Sequence, residues 1–169
     1  MIPPIEFMNS ITATAACVLL AVAAMHDVGF RTLPDSVSVG LVGCGVATHL
    51  SGGDLGRAAL AASAVFALAV LAWWAGALGG GDAKLLGSTA LAVPLSSVPA
   101  FVLDTALAGG VLALGFLSLR PFVPAARGSR PATLLGRVLR AEAWRIRRRG
   151  PLPYAVAIAA GGAVSLLNG

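Results

Sequence analysis

The sequence predicts an all-α fold: a polytopic bundle of about six transmembrane helices that forms one membrane-embedded domain over residues 1–169. Three observations support this prediction. Hydrophobic residues make up 57% of the chain and charged residues 11%, whereas about 25% of a soluble domain is charged. Long apolar runs recur from one end of the chain to the other. Basic residues are concentrated between two of these runs instead of covering a surface. The expected solvent is therefore the lipid bilayer.

Six apolar runs approach the length of about 20 residues that a helix needs to cross the hydrocarbon core of a bilayer. The second and fourth runs are short, so we expect neighbouring helices to shield them in part. Pro99 separates the fourth run from the fifth, and a proline can either turn the chain or kink one longer helix. The sequence leaves these two possibilities open. The predicted spans are residues 5–25, 36–50, 58–78, 85–98, 99–119 and 153–167.

The charge distribution predicts the orientation of the bundle. Eight of the twelve basic residues fall between residues 127 and 149, inside a loop of about residues 120–150. The positive-inside rule makes this loop cytoplasmic, and counting spans then places both termini outside. Arginines alternate with apolar residues in this loop, which is typical of a helix lying on an anionic inner leaflet. The net charge of +5 is therefore explained by the membrane, and no nucleic-acid partner is expected.

Two carboxylates, Asp27 and Asp82, are the strongest candidates for chemistry. Each lies at the end of an apolar run in a loop with glycine or proline, and the predicted topology places both loops at the cytoplasmic face. An ionisable group beside a span is costly and so indicates a functional site. Two carboxylates that share a proton supply both the base that activates water and the acid that protonates a leaving nitrogen. The sequence leaves open which of the two holds the proton.

A second class of function is compatible with the same residues. Asp27, Asp82 and Asp104 could line a cation or proton path in a small ion- or proton-coupled transporter or channel subunit. That function requires carboxylates at successive depths of the membrane. Asp27 and Asp82 share one predicted face instead, which favours the enzyme.

Residues 79–86 read Gly-Gly-Gly-Asp-Ala-Lys-Leu-Leu. This segment is similar to the signature Gly-x-Gly-Asp-x-Lys-Leu of the type IV prepilin peptidases, a family of intramembrane aspartic proteases. Asp27, followed by Arg31 and the Leu33–Pro34 pair, resembles the other catalytic aspartate of the family with its Arg and Ile-Pro-Asn element. Residues 151–162 resemble the last span of the family. The resemblance covers essentially the whole chain in order.

The sequence departs from the family pattern in two ways. Asp35 stands where the family usually has Asn. The chain also has no Cys-x-x-Cys pair and no N-terminal cytoplasmic domain of the kind that the long, N-methylating members use. These absences are typical of the short branch that serves Flp-type, tight-adherence pili, as a peptidase alone.

The resemblance implies a multi-pass enzyme of the bacterial inner membrane that cleaves prepilins. Its substrate would carry a short basic leader followed by an apolar helix, and the pilus-assembly machinery would be a possible further partner. No cofactor and no metal are implied. The implied catalytic residues are Asp27 and Asp82, and the implied site-shaping residues are Gly79, Gly81, Lys84, Arg31 and Pro34.

Several residues keep two interpretations at this stage. The glycines before Asp82 either let a substrate strand approach and permit unusual backbone angles, or simply end the third span and turn the chain. Lys84 either orients Asp82 or the substrate, or marks the cytoplasmic boundary as a snorkelling lysine. His49 and Asp54 are expected to be solvated residues of an outer loop.

Overall fold

The computed structural model describes residues 4–123 and 152–168, with a few positions between residues 133 and 143. Over these residues the chain is helical without any β-strand, which confirms the all-α prediction. Two short 3-10 turns, Leu95–Ser97 and Arg120–Phe122, flank the fifth helix. Most of the basic segment between residues 127 and 149, with its predicted surface helix, lies outside the described residues. The α-helices whose bounds the described residues give are α1 (Pro4–Phe30), α2 (Asp35–Gly52), α3 (Leu55–Trp74), α4 (Gly80–Ala92), α5 (Val98–Leu119) and α6 (Tyr154–Asn168).

Three stretches of the described chain are long and apolar enough to cross a membrane: Met8–Phe30, Leu55–Trp74 and Leu95–Phe122. The chain is therefore a membrane protein, while the count of six spans and the orientation stay predictions. Helix α4 has only 13 residues, about 20 Å at 1.5 Å per residue, against a hydrocarbon core of about 30 Å. It packs against α2, α3 and α6, and four successive residues from Gly87 to Ala90 are buried. Because protein surrounds it on these sides, α4 need not match the bilayer thickness itself.

The junction between the fourth and fifth predicted spans is a turn between two separate helices. Helix α4 ends at Ala92, and Pro94 opens the 3-10 turn that leads into α5. Pro99 lies in the first turn of α5, where its missing N–H would have no partner in any case. The chain thus breaks a few residues before Pro99, and the proline helps to start the next helix.

The helices pack in the order α3, α4, α2, α1, α6, α5, and each of them contributes residues to the shared core. Large apolar side chains such as Trp74 and Leu60 remain exposed on the outer faces, at 84% and 74%. An exposed apolar surface of this extent is what a bilayer covers. The largest fully buried apolar side chains are Phe101, Leu20, Leu41, Leu85 and Ile158.

Glycines allow two of the helix pairs to approach closely. A Cβ on Gly45 of α2 would lie 2.7 Å from the carbonyl carbon of Leu91 on α4, and a Cβ on Gly161 of α6 would lie 2.8 Å from the backbone nitrogen of Thr105 on α5. Backbone atoms cannot move aside as a flexible side chain can. Small residues therefore set these two distances, as is usual for helices that associate in lipid.

The prediction that His49 is solvated is wrong. Its side chain is buried, with Nδ1 lying 2.9 Å from Oδ1 of Asp54 and Nε2 lying 3.2 Å from the carbonyl oxygen of Val93. The ring thereby ties the end of α2 to the connection between α4 and α5. Asp54 is partly exposed beside it.

Candidate active site

Three helix ends meet at the same end of the bundle. They are the C-terminal end of α1, which carries Asp27, the N-terminal end of α4, which carries Asp82, and the N-terminal end of α6, which begins at Tyr154. Asp82 is within electrostatic range of both Asp27 and Tyr154. The tertiary structure thus brings together two carboxylates that lie 55 positions apart in the chain.

Asp27 is held by the first turn of α6. Its side chain is only 7% exposed, and its Oδ2 accepts a hydrogen bond of 3.3 Å from the backbone N–H of Ala155. The first N–H groups of a helix have no partner within the helix, and the helix dipole there favours a negative charge. The N-terminus of α6 therefore stabilises an ionised carboxylate at Asp27.

Arg31 turns the chain away from α1 next to Asp27. Its φ of 56° lies in the left-handed region, and its backbone N–H donates to the carbonyl oxygen of Asp27 at 2.9 Å. A left-handed residue in this place ends a helix. The guanidinium of Arg31 also acts electrostatically on Asp82, so Arg31 belongs to the same site as the two carboxylates.

Asp82 is fixed by the glycine that precedes α4. It occupies the first turn of this helix, and its carboxylate accepts a hydrogen bond from the backbone N–H of Gly79, the capping residue. A side chain at the third position of a helix commonly reaches back to the cap in this way. A Cβ on Gly79 would lie 2.7 Å from Oδ2 of Asp82 and would displace the carboxylate.

The glycines before Asp82 are therefore needed because a side chain would not fit there, and not because the backbone adopts an unusual conformation. Gly79 has an ordinary φ of −75°, and in the described chain the glycines with positive φ are Gly53 and Gly76. The expectation of unusual backbone angles next to Asp82 is wrong. A Cβ on Gly81 would meet Leu33 at 3.2 Å, so this glycine lets the loop after α1 pack directly on the first turn of α4.

Burial and the neighbouring charge raise the pKa of Asp82. Asp82 lies outside the three segments that are long enough to cross a membrane. Burial is the larger cause of the rise, and the charge of Asp27 is the second. The N–H of Gly79 and the cation of Arg31 lower the pKa in part. The resulting pKa of Asp82 is about 6, against an ordinary 3.8. Two close carboxylates cannot both ionise easily. Asp82 therefore keeps a proton to a higher pH than an ordinary aspartate does.

Lys84 pairs with Asp35. Its Nζ donates to Oδ1 of Asp35 at 2.9 Å, and both side chains are more than half exposed. An exposed pair of this kind contributes about 0–1 kcal/mol, so it aligns the start of α2 with α4 more than it stabilises the fold. It also gives a partner to the aspartate that stands where the prepilin peptidases usually have Asn.

Pro34 lies directly before α2 with φ of −65°. Its carbonyl oxygen accepts a hydrogen bond from the N–H of Val37.

Sequence reasoning missed two groups that α6 contributes. The N–H of Ala155 and the ring of Tyr154 both lie at the site, and Tyr154 packs so closely over α5 that a Cβ on Gly109 would meet its ring at 2.7 Å. The sequence offers one indication of this helix start, because Pro153 lies immediately before α6 and proline is common where a helix begins. It marks a helix N-terminus but does not reveal which side chain that terminus faces.

The described side chains form no cluster of three or more His, Cys, Asp or Glu that could hold a metal ion. The groups that the site does assemble are two carboxylates, one guanidinium and helix N–H donors. These groups can take a proton from water, give a proton to a leaving group and orient both carboxylates.

The fold and the site together define a helical membrane protein with a pair of carboxylates at one end of its bundle. The chain belongs to the type IV leader peptidase family, whose family model matches residues 14–114, more than half of the chain and a range that includes Asp27 and Asp82. Membership implies a peptidase that acts on prepilins. No significant match to this chain was found among curated proteins or among solved structures.

Proposed function

We propose that this protein is an intramembrane aspartic endopeptidase of the bacterial inner membrane that removes the basic leader from Flp-type prepilins at the cytoplasmic face. The observation that carries the proposal is the electrostatic interaction between Asp82 and Asp27, which come from the ends of two different helices at one end of the bundle. Membership of the type IV leader peptidase family supports the substrate class. Within it, the Flp branch is proposed because Cys17 and Cys44 are too far apart in the chain to form a Cys-x-x-Cys pair.

In the proposed reaction Asp27 is the base and Asp82 the acid. Asp27 takes a proton from water while the water oxygen attacks the carbonyl carbon of the scissile peptide bond. Asp82 gives its proton to the nitrogen as the carbon–nitrogen bond breaks. Two features support this assignment. The N-terminus of α6 stabilises a negative charge on Asp27, and that charge together with burial keeps a proton on Asp82.

The position of the site suits a substrate that combines a basic leader with an apolar helix. The helix of such a prepilin lies in the membrane and its leader remains at the surface. The bond between the two segments is then at the depth of a helix end, which is where Asp27 and Asp82 lie. No step of this reaction needs a metal or a cofactor.

A cleavage assay tests the proposal. We expect the wild type, co-expressed with a Flp-type prepilin, to release the leader, read by gel shift and by N-terminal sequencing of the product. Asp27→Asn and Asp82→Asn should each abolish release while inserting normally into the membrane. Asp104→Asn is the matched control, since Asp104 lies in α5, away from the three helix ends, and should cleave at a near-normal rate. Near-normal cleavage by either of the first two variants would remove the pair of aspartates from the mechanism.

A further inference from the structure

A hydrogen bond joins the last turn of α1 to the loop that follows this helix. Nδ1 of His26 lies 2.6 Å from the carbonyl oxygen of Thr32. A carbonyl oxygen can only accept a hydrogen bond, so Nδ1 is the donor and carries a proton. The imidazole ring also packs on the ring of Phe30, one helical turn later, with the ring centroids 4.8 Å apart. The bond therefore spans the stretch of chain that contains both Asp27 and Arg31.

Thr32 lies between two residues that act on the start of α4. On one side is Arg31, whose cation interacts with Asp82. On the other side is Leu33, which lies so close to Gly81 that a Cβ added there would be 3.2 Å from its side chain. A bond that fixes the carbonyl group of Thr32 therefore restrains both neighbours relative to Asp82.

Arg31 adopts a backbone conformation that a residue with a side chain rarely takes. Its φ of 56° lies in the left-handed region. On its N-terminal side the chain is held by its own N–H, which donates to the carbonyl oxygen of Asp27 at 2.9 Å. On its C-terminal side the chain is held by the bond from His26 to Thr32. Because both sides are restrained, the guanidinium, whose Nε and Nη1 are buried, keeps one place in the site.

We propose that His26 is a positioning residue of the peptidase, whose bond to Thr32 holds the loop of residues 31–33 so that the cation of Arg31 stays beside Asp82. This role rests on the proposed function, because it concerns the cleavage of a prepilin. His26 acts through the loop and not on the carboxylate next to it in the chain, since consecutive side chains of a helix do not face each other.

Several elements present charged or polar groups around Asp82. They are Asp27 on α1, Arg31 in the loop, the N–H of Gly79 before α4 and Tyr154 on α6, while Lys84 on α4 pairs with Asp35 on α2. The last turn of α3 carries no charged residue. The cation of Arg31 lowers the pKa of Asp82. Without the bond from His26 the loop moves, Arg31 spends less time beside Asp82, and the pKa of Asp82 rises.

A titration of Asp82 tests this role without any substrate. The protein is isotope-labelled at its aspartate carboxyl carbons, purified in lipid nanodiscs and titrated by NMR, with Asp82→Asn identifying the signal. His26→Phe keeps the ring and removes the donor, and we expect it to move the midpoint of Asp82 to higher pH. His26→Asn offers an amide N–H in place of Nδ1 and should keep the wild-type midpoint. Phe30→Leu is the matched control, since it changes the ring that packs on His26 at a side chain 71% exposed, and it should also keep that midpoint.

Three results would overturn the positioning role. The first is a wild-type midpoint in His26→Phe and in His26→Leu, a second variant without the donor. The second is an equal shift in His26→Phe and His26→Asn. The third is a double variant of His26→Phe and Arg31→Gln that titrates at higher pH than Arg31→Gln alone, because the loop has no cation to displace once Arg31 is replaced. Thermal unfolding is measured for each variant, since a general folding defect lowers its midpoint without moving the titration of Asp82.

Cleavage of a Flp-type prepilin extends the test to catalysis. At about pH 5, where most Asp82 is protonated in either protein, we expect His26→Phe to lower kcat about two- to fivefold with KM little changed, because a looser loop orients the site less well. The loss should shrink towards about pH 7, since more of the variant keeps its proton there. A loss of equal size at both pH values would contradict the role assigned to His26.

The failure of this role and the failure of the proposed function give different results. If the wild type cleaves the prepilin and His26→Phe titrates and cleaves as the wild type does, His26 has no positioning role and the peptidase stands. If the wild type cleaves no prepilin, the proposed function has failed, and the role of His26 in catalysis fails with it.

Discussion

The pH dependence of cleavage reports directly on the proton that we assign to Asp82. Replacing Arg31 tests this assignment, because the cation of Arg31 lowers the pKa of Asp82. Asp82 must be protonated to act as the acid, and its raised pKa of about 6 means that the protonated form prevails below that pH and is lost above it. At pH 7 about one Asp82 in ten would hold the proton, against about one in 1600 for an aspartate with the ordinary pKa.

The rate of prepilin cleavage should follow the fraction of Asp82 that is protonated. Between pH 5 and pH 7 the protonated fraction of Asp82 falls about tenfold, so we expect kcat/KM to fall by about the same factor. Arg31→Gln removes the cation, raises the pKa of Asp82 further and moves this decline to higher pH. Arg31→Lys keeps the charge and should leave the decline near its wild-type position. Both variants place a side chain at the same left-handed position, so the comparison isolates the charge.

Initial rates of prepilin cleavage between about pH 4.5 and 8.5, with purified enzyme in lipid nanodiscs, measure this profile. A rate that stays flat from pH 5 to pH 7 would refute the assignment of the proton to Asp82. A decline at the same pH in Arg31→Gln and in Arg31→Lys would refute the electrostatic contact between Arg31 and Asp82.

Two further predictions concern packing and the N-terminus of α6. Gly45→Ala should lower the free energy of unfolding by about 1–3 kcal/mol, because its methyl group would meet the backbone of Leu91. Gly43→Ala is the control and should be neutral or slightly stabilising, since a Cβ there would meet no described atom within 4 Å. Thermal unfolding in detergent measures the difference, and equal midpoints for the two variants would contradict the close α2–α4 contact. Replacing the backbone amide of Ala155 by an ester removes the N–H that donates to Asp27. This change should lower kcat/KM for prepilin cleavage about tenfold and leave the thermal unfolding midpoint unchanged. A wild-type cleavage rate would show that this hydrogen bond does not support Asp27 as the base.

Helix positions could be predicted from composition because each helix depends mainly on its own residues. The first predicted span, residues 5–25, falls inside α1, and the fifth, residues 99–119, coincides with α5 almost to the residue. Boundaries were less accurate where a turn decided them. The third predicted span ran to residue 78, but α3 ends at Trp74, since apolar residues continue through the turn that Gly76 makes at φ of 76°.

The candidate site could be predicted only as a set of residue types. Asp27 and Asp82 stood out because each carboxylate adjoins an apolar run, a local property. The burial of His49 was missed because a histidine near a helix end is ordinarily solvated, and here its acceptor is the carbonyl oxygen of Val93, 44 positions later in the chain. The partner of Lys84 was missed for the same reason, since Asp35 is 49 positions away.

By itself the sequence determined that the bilayer is the solvent, that the chain is helical and that two carboxylates lie at helix ends. Each of these follows from composition and neighbouring residues. Only the tertiary structure decided that Asp27 meets Asp82, that the N-terminus of α6 stabilises Asp27, and that Gly79 is needed for the space that Asp82 occupies. These contacts join segments up to 128 positions apart. They depend on how closely helix surfaces pack, which no local pattern of residues encodes.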